Sequence, residues 1–270
     1  MNKEKIIEKI LIENSFTINK WKFISKNIKV EKSHINEIKK FSIITYLKEL
    51  LKKYNFLYYM IIFFISPVYT NFSVTKLRNK LIKNNVIILN IWSWNKLINS
   101  KIINVDLFNY NNVDLIADWT NLPVINNSID LVINEANLEH IYKYENIINE
   151  SYRILKKGWI CYYIIPFIQW FHASPNDYHR FTHKSIHNHF KKSWFNDIKI
   201  WIYSWSASWF LWILIDFLSI LFSFWFKSVY EILTIFFSLI LWPIKFLDIL
   251  LNNFKYSRNI ASSFYIIAKK

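Results

Sequence analysis

The sequence predicts an α/β fold in which helices cover a doubly wound, mostly parallel sheet of seven strands. From residue 86 onward, short apolar runs with strand character alternate with helical segments, and this alternation is typical of a parallel sheet. The first of these strands leads directly into a tight turn, as at the ligand-binding edge of such sheets. The chain has 270 residues, enough for one domain of this kind with an appendage.

The elements of this domain follow one another along the chain. The predicted strands are Val86–Ile91, Lys101–Asp106, Val113–Asp118, Ile129–Asn134, Ile160–Pro166, Asp197–Tyr203 and Ser262–Ala268. Apolar residues at helical spacing predict helices over Tyr144–Leu155 and His183–Lys192. We therefore assign residues 85–270 to the α/β domain and residues 1–84 to an N-terminal helical extension.

Three helices are predicted in the extension. Apolar spacing places one around Ile6–Leu11 and a second from Ile35 to Leu51. Tyr54–Thr75 carries no charge, but Pro67 interrupts it. It reaches the length of a membrane span only by including polar residues, so we expect a buried or interfacial helix.

An apolar insertion at residues 206–252 separates the last two predicted strands. Its first helical segment, Ser206–Phe226, is long enough to cross a membrane but contains Asp216, and its second has only Ile232–Ile244 between charges. Because both ends join the same sheet, any crossings must be paired. We expect a hairpin that lies in the membrane interface with its lysines toward lipid phosphates. The alternative is a lid that packs on the N-terminal helices.

Charge and cysteine usage limit the partners and the compartment. The formal net charge is +15, which attracts either nucleic acid or an anionic membrane. The single cysteine, Cys161, lies in an apolar run and is expected to be a buried hydrophobic residue. Met1–Lys5 does not lead into a secretory hydrophobic region. We expect a bacterial protein in the cytoplasm, associated with the inner face of the membrane.

Tryptophan occupies positions where glycine is expected. The chain has thirteen tryptophans and one glycine, whereas average glycine usage of roughly 7% predicts about 19. Trp92 and Trp94 lie in the turn after the first strand, Trp159 follows Gly158 before a strand, and Trp194 lies at the end of a helix. UGA reads as tryptophan in one variant genetic code and as glycine in another. We predict that most of these tryptophans are glycines in the native protein; the alternative is a truly tryptophan-rich chain.

Five motifs in order carry a family resemblance. With glycine restored, residues 90–95 read Asn-Ile-Gly-Ser-Gly-Asn. The motifs that follow are Asp118-Trp119-Thr120-Asn121-Leu122-Pro123, Ser128-Ile129-Asp130-Leu131-Val132, Leu138-Glu139-His140, and Glu150-Ser151-Tyr152-Arg153-Ile154-Leu155-Lys156-Lys157-Gly158-Trp159. Over about Val86–Pro166 the chain resembles class I S-adenosylmethionine-dependent methyltransferases, in particular the type 11 domain.

The resemblance implies a Rossmann-like methyltransferase fold, S-adenosyl-L-methionine as the cofactor, and a role for each matching residue. The implied cofactor-binding residues are Asn90, Trp92, Ser93 and Trp94 near the methionine part, Asp106 at the ribose hydroxyls, Asp118 and Trp119 beside the adenine, and Glu135. Glu135 and His140 would flank the cofactor and the substrate cavity. The family usually has an acid at or near position 90, where this chain has Asn90. The segment between Asn95 and Ile102 is also too short for the usual first helix.

The loop after the fifth strand is where methyltransferases place acceptor-binding residues. His140 is one catalytic candidate, and His172 or Asp177 is a candidate general base for a hydroxyl acceptor. Tyr178 and Arg180 are candidate substrate-binding residues, with Arg180 holding an anionic group. The alternative is a structural loop in which Asp177 pairs with Arg180.

The sequence indicates no metal site. His179, His183 and His187 recur every four residues, but no cysteine or acidic residue recurs with them. We expect a solvated, histidine-rich helix.

The predicted function is methyl transfer from S-adenosylmethionine to a small-molecule or glycan acceptor, with a lipid-linked sugar or cell-surface glycan precursor expected. If Trp92 and Trp94 are genuine, indoles fill the cofactor crevice, and the alternative is a catalytically inactive, membrane-associated binding module on the same fold. A nucleic-acid methyltransferase fits the charge, but the chain has no recognition domain, and the apolar insertion argues against it. We expect no nucleic-acid partner.

Overall fold

The computed structural model describes residues 3–19, 21–26, 60–61, 72–82, 85–93, 98–172, 176–204, 206–251 and 254–270. The strands are β1 (Phe16–Asn19), β2 (Lys22–Ser25), β3 (Ile88–Ile91), β4 (Ile103–Asp106), β5 (Leu115–Ile116), β6 (Ile129–Glu135), β7 (Leu155–Pro166), β8 (Asn196–Ser204) and β9 (Ser263–Lys269). The α-helices are α1 (Lys3–Ile10), α2 (Phe72–Leu81), α3 (Tyr144–Ile154), α4 (His183–Lys192), α5 (Ser206–Phe222), α6 (Lys227–Leu241) and α7 (Leu247–Leu251). Short 3-10 helices cover Leu138–His140, Trp242–Phe246 and Lys255–Ile260.

One mixed sheet forms the centre of the fold, with the strand order β1-β2-β5-β4-β3-β6-β7-β9-β8. Strands β2 to β7 pair in parallel, whereas β9 is antiparallel to both of its neighbours and β1 is antiparallel to β2. The predicted doubly wound, mostly parallel fold is therefore confirmed, and its seven expected strands are all present. The sheet has nine strands because the N-terminal segment adds two.

The helical prediction for residues 1–84 is wrong in part. The helix near the N-terminus is present as α1, but residues 16–25 form an antiparallel hairpin, and β2 extends the sheet by pairing in parallel with β5. Each of these strands has only four residues, and burial alternates in Lys22–Ser25 but not in the mostly exposed Phe16–Asn19, so the sequence pattern was too short to indicate strands. The predicted helix Ile35–Leu51 and most of Tyr54–Thr75 lie outside the described residues.

Strand β7 begins five residues before the predicted Ile160. Leu155 pairs with Ile129, and the next pair is Ile160 with Leu131, so residues 156–159 form a bulge between them. Gly158 has a φ of 83° in this bulge, a conformation that glycine adopts without strain. Residues 156–159, which the sequence predicted to form a turn before the strand, are therefore part of β7.

Helices pack on both faces of the sheet. On one face, α1, α3 and α4 bury apolar side chains against the strands in a single large core. On the other face, a smaller core around Ile133 and Tyr162 includes Leu81 of α2. Each central strand is thus covered on both sides, and every residue of β3 and β4 and all but the last of β6 are buried.

The insertion forms a helical hairpin between β8 and β9, but its two helical segments differ from the predicted ones. α5 ends at Phe222, and the second segment is the longer, because α6 continues through a 3-10 turn into α7 as one run over Lys227–Leu251. Among the described residues, this run is long and apolar enough to cross a membrane by length and composition alone. Asp248 accepts hydrogen bonds from the amides of Ala207 (2.8 Å) and Ser208 (3.0 Å), which fastens the end of the hairpin to its start.

Small and polar residues line the inside of this hairpin, while large apolar residues point outward. The buried polar residues are Ser208, Ser219, Ser223, Glu231, Ser238, Lys245 and Asp248. The exposed apolar residues of α5, α6 and their connection include Phe217, Ile220, Leu221, Phe222, Phe224, Trp225, Phe226, Ile232, Phe236, Leu239 and Ile240. This distribution is the reverse of a water-soluble helix pair.

Candidate cofactor and acceptor site

The strand order places a crevice between β3 and β6. From β3 the chain proceeds to β4 and β5 on one side, and it then crosses back to β6 and β7 on the other side. The loops that leave the carboxyl ends of β3 and β6 therefore run in opposite directions, and ligands of open parallel sheets bind at such a switch point. The residues that follow β3 are Trp92 and Ser93, and those that follow β6 are Ala136–His140.

The turn after β3 holds a tryptophan in a left-handed backbone conformation. Trp92 has a φ of 66°, and its amide and that of Ser93 both donate to the carbonyl oxygen of Val105 at the end of β4 (3.0 and 3.1 Å). The buried Trp92 indole lies 4.2 Å from the buried Trp119 indole, and it stacks on His140 at 5.7 Å between ring centroids. The predicted site residue Trp94 lies outside the described residues.

Asn90 and Glu135 are held by neighbours on the sheet. The buried Asn90 amide donates to Oδ1 of Asn104 on the adjacent strand (3.1 Å). Glu135, the last residue of β6, accepts a charged hydrogen bond from Nη1 of Arg78 on α2 (2.9 Å). Both residues lie at the predicted strands, and their roles toward a cofactor stay predictions.

Asp106 and Asp118 both stand at strand ends and shape the turn that follows. The buried Asp106, at the end of β4, accepts from the amide of Phe108 (3.0 Å). Asp118, two residues after β5, accepts from both the amide and the hydroxyl of Thr120 (2.8 and 2.7 Å). Each carboxylate therefore sits at the carboxyl edge of the sheet, as the family resemblance requires of residues at the ribose and adenine.

The acceptor loop packs against the 3-10 helix Leu138–His140. The carbonyl oxygen of Glu139 accepts from the amides of Tyr178 (2.7 Å) and His179 (3.2 Å). His140 Nδ1 donates to the carbonyl oxygen of Asn176 (2.6 Å), and the His140 and His172 rings meet edge to face at 5.1 Å. The two candidate histidines are therefore neighbours, while Tyr178 is exposed beside them.

Asp177 and Arg180 order this loop. The guanidinium binds both carboxylate oxygens of Asp177, and it also donates to the carbonyl oxygens of Gln169, Trp170 and His179. Burial by itself would raise the pKa of Asp177, but the hydrogen bonds from Arg180 and from the His172 amide outweigh burial and place this pKa below its ordinary value. A carboxylate with a lowered pKa is a weak base. The observed loop therefore matches the alternative prediction, a structural loop in which Asp177 pairs with Arg180. The acceptor-binding roles of these two residues stay predictions.

Three buried polar residues that the sequence analysis did not select as site residues lie near the end of β6 and in the segment that follows it. Within the part of the chain that the structure describes, both side-chain polar atoms of Asn134, Asn137 and Glu139 lack a hydrogen-bond partner. Burial raises the pKa of Glu139 to about 8, and burial also lowers the pKa of the neighbouring His140. The signal available in the sequence was the polar Asn-Glu-Ala-Asn-Leu-Glu-His run directly after an apolar strand.

Comparison with known proteins identifies this region. The profile of a family described as "Methyltransferase domain" matches residues 94–163, which run from the turn after β3 to the middle of β7. Residues 94–163 are therefore similar in sequence to a methyltransferase domain. The cofactor of this family is S-adenosylmethionine, in agreement with the resemblance drawn from the motifs.

Several solved structures are distantly similar to the chain. A S-adenosylmethionine-dependent methyltransferase from Archaeoglobus fulgidus is 15% identical, with a TM-score of 0.48 over 73% of this chain and 92% of that one. A possible histamine N-methyltransferase from Thermotoga maritima is 14% identical, with a TM-score of 0.46 over 83% and 98%.

Phosphoethanolamine N-methyltransferase 2 from Haemonchus contortus is 14% identical, with a TM-score of 0.45 over 74% of this chain and 53% of that one. This chain thus spans about half the length of the Haemonchus enzyme. The search of curated proteins found no match. The similarity to a methyltransferase domain rests on the family match rather than on these distant likenesses.

The residues present fit S-adenosylmethionine only in part. Asp106 and Asp118 offer carboxylates at the expected strand ends, and Asn134 and Asn137 offer unpaired amides. The Trp92 and Trp119 indoles, in contact and buried, nevertheless fill the space beside the first turn. With both indoles in place, the turn cannot approach a ligand through its backbone, which is what glycine provides in such crevices.

Proposed function

We propose that the protein is a S-adenosylmethionine-dependent methyltransferase whose native chain has glycine at positions 92 and 119. The observation that carries the proposal is the pair of unpaired, fully buried amide side chains at the switch point, Asn134 and Asn137. Buried polar atoms almost always have partners, so two unpaired amides near the carboxyl end of β6 support a bound polar group there. S-adenosylmethionine supplies an activated methyl group on a sulfonium, and the protein need only place the acceptor in line with it.

Backbone conformation supports glycine at several tryptophan positions. Among the described residues, nine non-glycine positions have positive φ, and three of them are Trp92, Trp194 and Trp225. Positive φ costs an L-residue about 1–2 kcal/mol and costs glycine almost nothing. Trp159 has no positive φ, so its backbone offers no such support.

Calorimetric titration with S-adenosylmethionine tests the proposal. The variant Trp92→Gly/Trp119→Gly removes both indoles from the crevice and is expected to bind the cofactor, whereas the printed sequence is expected to bind at least ~100-fold more weakly, because a buried indole pair must be displaced. The matched control is Trp159→Gly/Trp201→Gly, which removes two exposed indoles outside the crevice. A folded glycine variant that binds no cofactor would overturn the proposal.

Whether the native protein has glycine or tryptophan at these positions is a separate question, which the codons or the mass of the native polypeptide answer. Mass spectrometry of the polypeptide from its native source should show glycine at 92 and 119. Tryptophan at both positions would favour the second candidate function, a catalytically inactive binding module. The specific observation behind that candidate is the packing of the two indoles inside the crevice at 4.2 Å.

We further propose that the hairpin of α5 to α7 lies in an anionic membrane surface at the inner face of the membrane. Its polar residues are buried between the helices while its large apolar residues are exposed, a distribution suited to lipid rather than water. α5 has 17 residues, a length of about 26 Å that falls short of the roughly 30 Å hydrocarbon core. Its two ends meet at adjacent strands, where the Ser262 amide donates to the Ser204 carbonyl oxygen (3.0 Å). A hairpin that enters the membrane from one side and returns to that side is compatible with both the short α5 and the adjacent positions of its two ends.

The membrane position suggests the acceptor class. A lipid-linked sugar or cell-surface glycan precursor presents its hydroxyl groups close to the membrane surface, within reach of a catalytic domain held there. A basic groove of about 560 Å³, lined by His183, Lys184, His187 and Arg258 among others, lies between α4 and the chain that leaves the hairpin. Its charge suits the phosphate of such an acceptor or of a lipid headgroup.

A further inference from the structure

One ring nitrogen of His140 carries an unshared electron pair that faces a buried carboxylate. Nδ1 lies 2.6 Å from the carbonyl oxygen of Asn176. A carbonyl oxygen only accepts, so Nδ1 carries the proton and Nε2 of the neutral ring does not. Nε2 lies 3.7 Å from Oε1 of Glu139, whose side chain is fully buried.

The same argument applies to His172. Its Nδ1 lies 3.2 Å from the carbonyl oxygen of Trp170 and 3.7 Å from Oδ2 of Asp177, and both of these oxygens accept. Arg180 Nη2 is 3.3 Å from the same nitrogen, but its two hydrogens already point to Trp170 (2.6 Å) and Asp177 (2.7 Å). The proton of His172 therefore sits on Nδ1. Nε2 faces Oε1 of Glu139 at 3.9 Å with its electron pair.

Three potential metal-ligand atoms, Oε1 of Glu139 and Nε2 of each histidine, thus converge. The ligand atoms of Glu139, His140 and His172 all lie within 4.8 Å of one another, and neither oxygen of Glu139 has a hydrogen-bond partner among the described residues. Two ligands on tetrahedral zinc stand about 3.3 Å apart, given Zn–N distances of about 2.0–2.1 Å. The observed separations of 3.7 and 3.9 Å are close to this value.

We propose that Glu139, His140 and His172 bind a divalent transition-metal ion, with Zn²⁺ as the first candidate. Two imidazoles and one carboxylate form a donor set that zinc accepts, and an open fourth position is characteristic of sites that bind substrate. Each histidine donates its other ring proton to a backbone carbonyl oxygen, the second hydrogen bond that metal-ligating histidines almost always make. The sequence analysis expected no metal and considered only the histidines of the 179–187 segment. Glu139 and His172 are 33 residues apart in the chain, and only the loop packing brings them together.

His172 is the solvent-accessible member of this site. Glu139 and His140 are buried, whereas the His172 side chain is 36% exposed. The fourth ligand is an oxygen of the acceptor, of the hydroxyl or carboxylate class. This last step rests on the proposed methyltransferase function, while metal binding itself does not.

Zinc titration of the full-length chain, purified without a polyhistidine tag and stripped with a chelator, tests the site. Calorimetry and elemental analysis are expected to show one zinc per chain. Glu139→Gln, His140→Gln and His172→Gln should each weaken binding at least ~10-fold. The matched control His187→Gln changes an exposed histidine of α4 and should leave the affinity unchanged.

Two further measurements distinguish loss of the metal ligands from loss of the fold. His172 is partly exposed, so His172→Gln is expected to fold even where a buried variant does not, and circular dichroism checks this. X-ray absorption of the zinc-loaded chain should show two imidazole nitrogens. No stoichiometric zinc, or binding that is lost in His187→Gln and retained in His172→Gln, would overturn the metal site. Absence of cofactor binding in the folded Trp92→Gly/Trp119→Gly variant, with zinc binding intact, would instead overturn the proposed function.

Discussion

Trp194 follows helix α4 at the position where glycine ordinarily ends a helix. The Phe195 amide donates to the carbonyl oxygen of Phe190 and the Trp194 amide donates to that of Lys191, both at 3.1 Å, and the Phe190 and Phe195 rings pack at 5.4 Å. These are the two hydrogen bonds and the hydrophobic contact of a Schellman motif. Trp194 occupies its left-handed residue with a φ of 69°. The helix end is thus built for glycine.

Trp194→Gly is expected to raise the free energy of unfolding by about 0.5–1 kcal/mol, because it relieves left-handed strain and its indole is 75% exposed. Trp194→Ala keeps the Cβ atom and should give no gain. Trp201→Gly, at an exposed position within β8, should lower stability by about 1 kcal/mol. Urea denaturation measures all three, and equal effects of glycine and alanine at 194 would contradict the strain argument.

Glu139 should impose a pH dependence on the metal-free protein. Burial raises the pKa of this carboxyl from 4.5 to about 8, so the folded chain holds the proton more tightly than the unfolded chain. The free energy of unfolding therefore falls as pH rises from about 4.5 to about 8, by up to about 1.4 kcal/mol per unit of the difference. Glu139→Gln should abolish this slope when unfolding is followed in chelator across that range.

The exposed Glu8 of α1 provides the control for this measurement, since Glu8→Gln should leave the slope intact. A slope that persists in Glu139→Gln would assign the pH dependence to other groups.

At the scale of the element, the hairpin is the part of the chain whose surface is least suited to water. Serines of α5 and α6 are buried, and Asp216 of α5 accepts a hydrogen bond from the Tyr230 hydroxyl within the hairpin (2.5 Å). Hydroxyls of Ser219 and Ser238 donate to carbonyl oxygens one turn earlier in their own helices (2.7 and 2.6 Å). These three polar side chains are therefore satisfied within the hairpin, as an apolar environment requires.

Replacing Phe217, Ile220 and Leu221 with aspartate is expected to reduce binding to anionic vesicles more than tenfold, because each exposed side chain contributes about 2 kcal/mol when it enters lipid. Flotation with phosphatidylcholine vesicles, with and without phosphatidylglycerol, measures this. Ile18→Asp, at an exposed apolar position on β1, should have no effect. Binding of RNA in place of vesicles would contradict the membrane position.

At the scale of the whole molecule, the sheet brings residues far apart in sequence to one edge. The turn at 92–93, the segment 134–140 and the loop around 172–180 follow three different strands and meet at the switch point. The hairpin emerges from β8 at the carboxyl side of that strand and returns to β9. The net charge of +15 adds long-range attraction to an anionic surface, which would hold the catalytic domain beside it.

The sequence by itself determined the fold class, the seven core strands, helices α3 and α4, and the methyltransferase motifs. These features depend on local periodicity and on motifs whose residues are close together in the chain, so the sequence alone reveals them. The hairpin β1–β2 was not predicted from the sequence, because four-residue strands have too little periodicity. In the structure, β2 pairs with β5, a strand distant in the chain. Positive φ at Trp92 and Trp194 agrees with glycine there, and the codons remain the test of it.

Only the tertiary structure decided which polar groups face one another. Glu139 and His140 are adjacent in the motif, but their approach to His172 depends on hydrogen bonds that dock the acceptor loop on the 3-10 helix. Likewise, the sequence marked 206–252 as apolar, yet the burial of its serines and the exposure of its phenylalanines depend on how two helices pack. Convergence and burial arise from long-range contacts, and these are fixed by the packing of the whole chain rather than by local propensity.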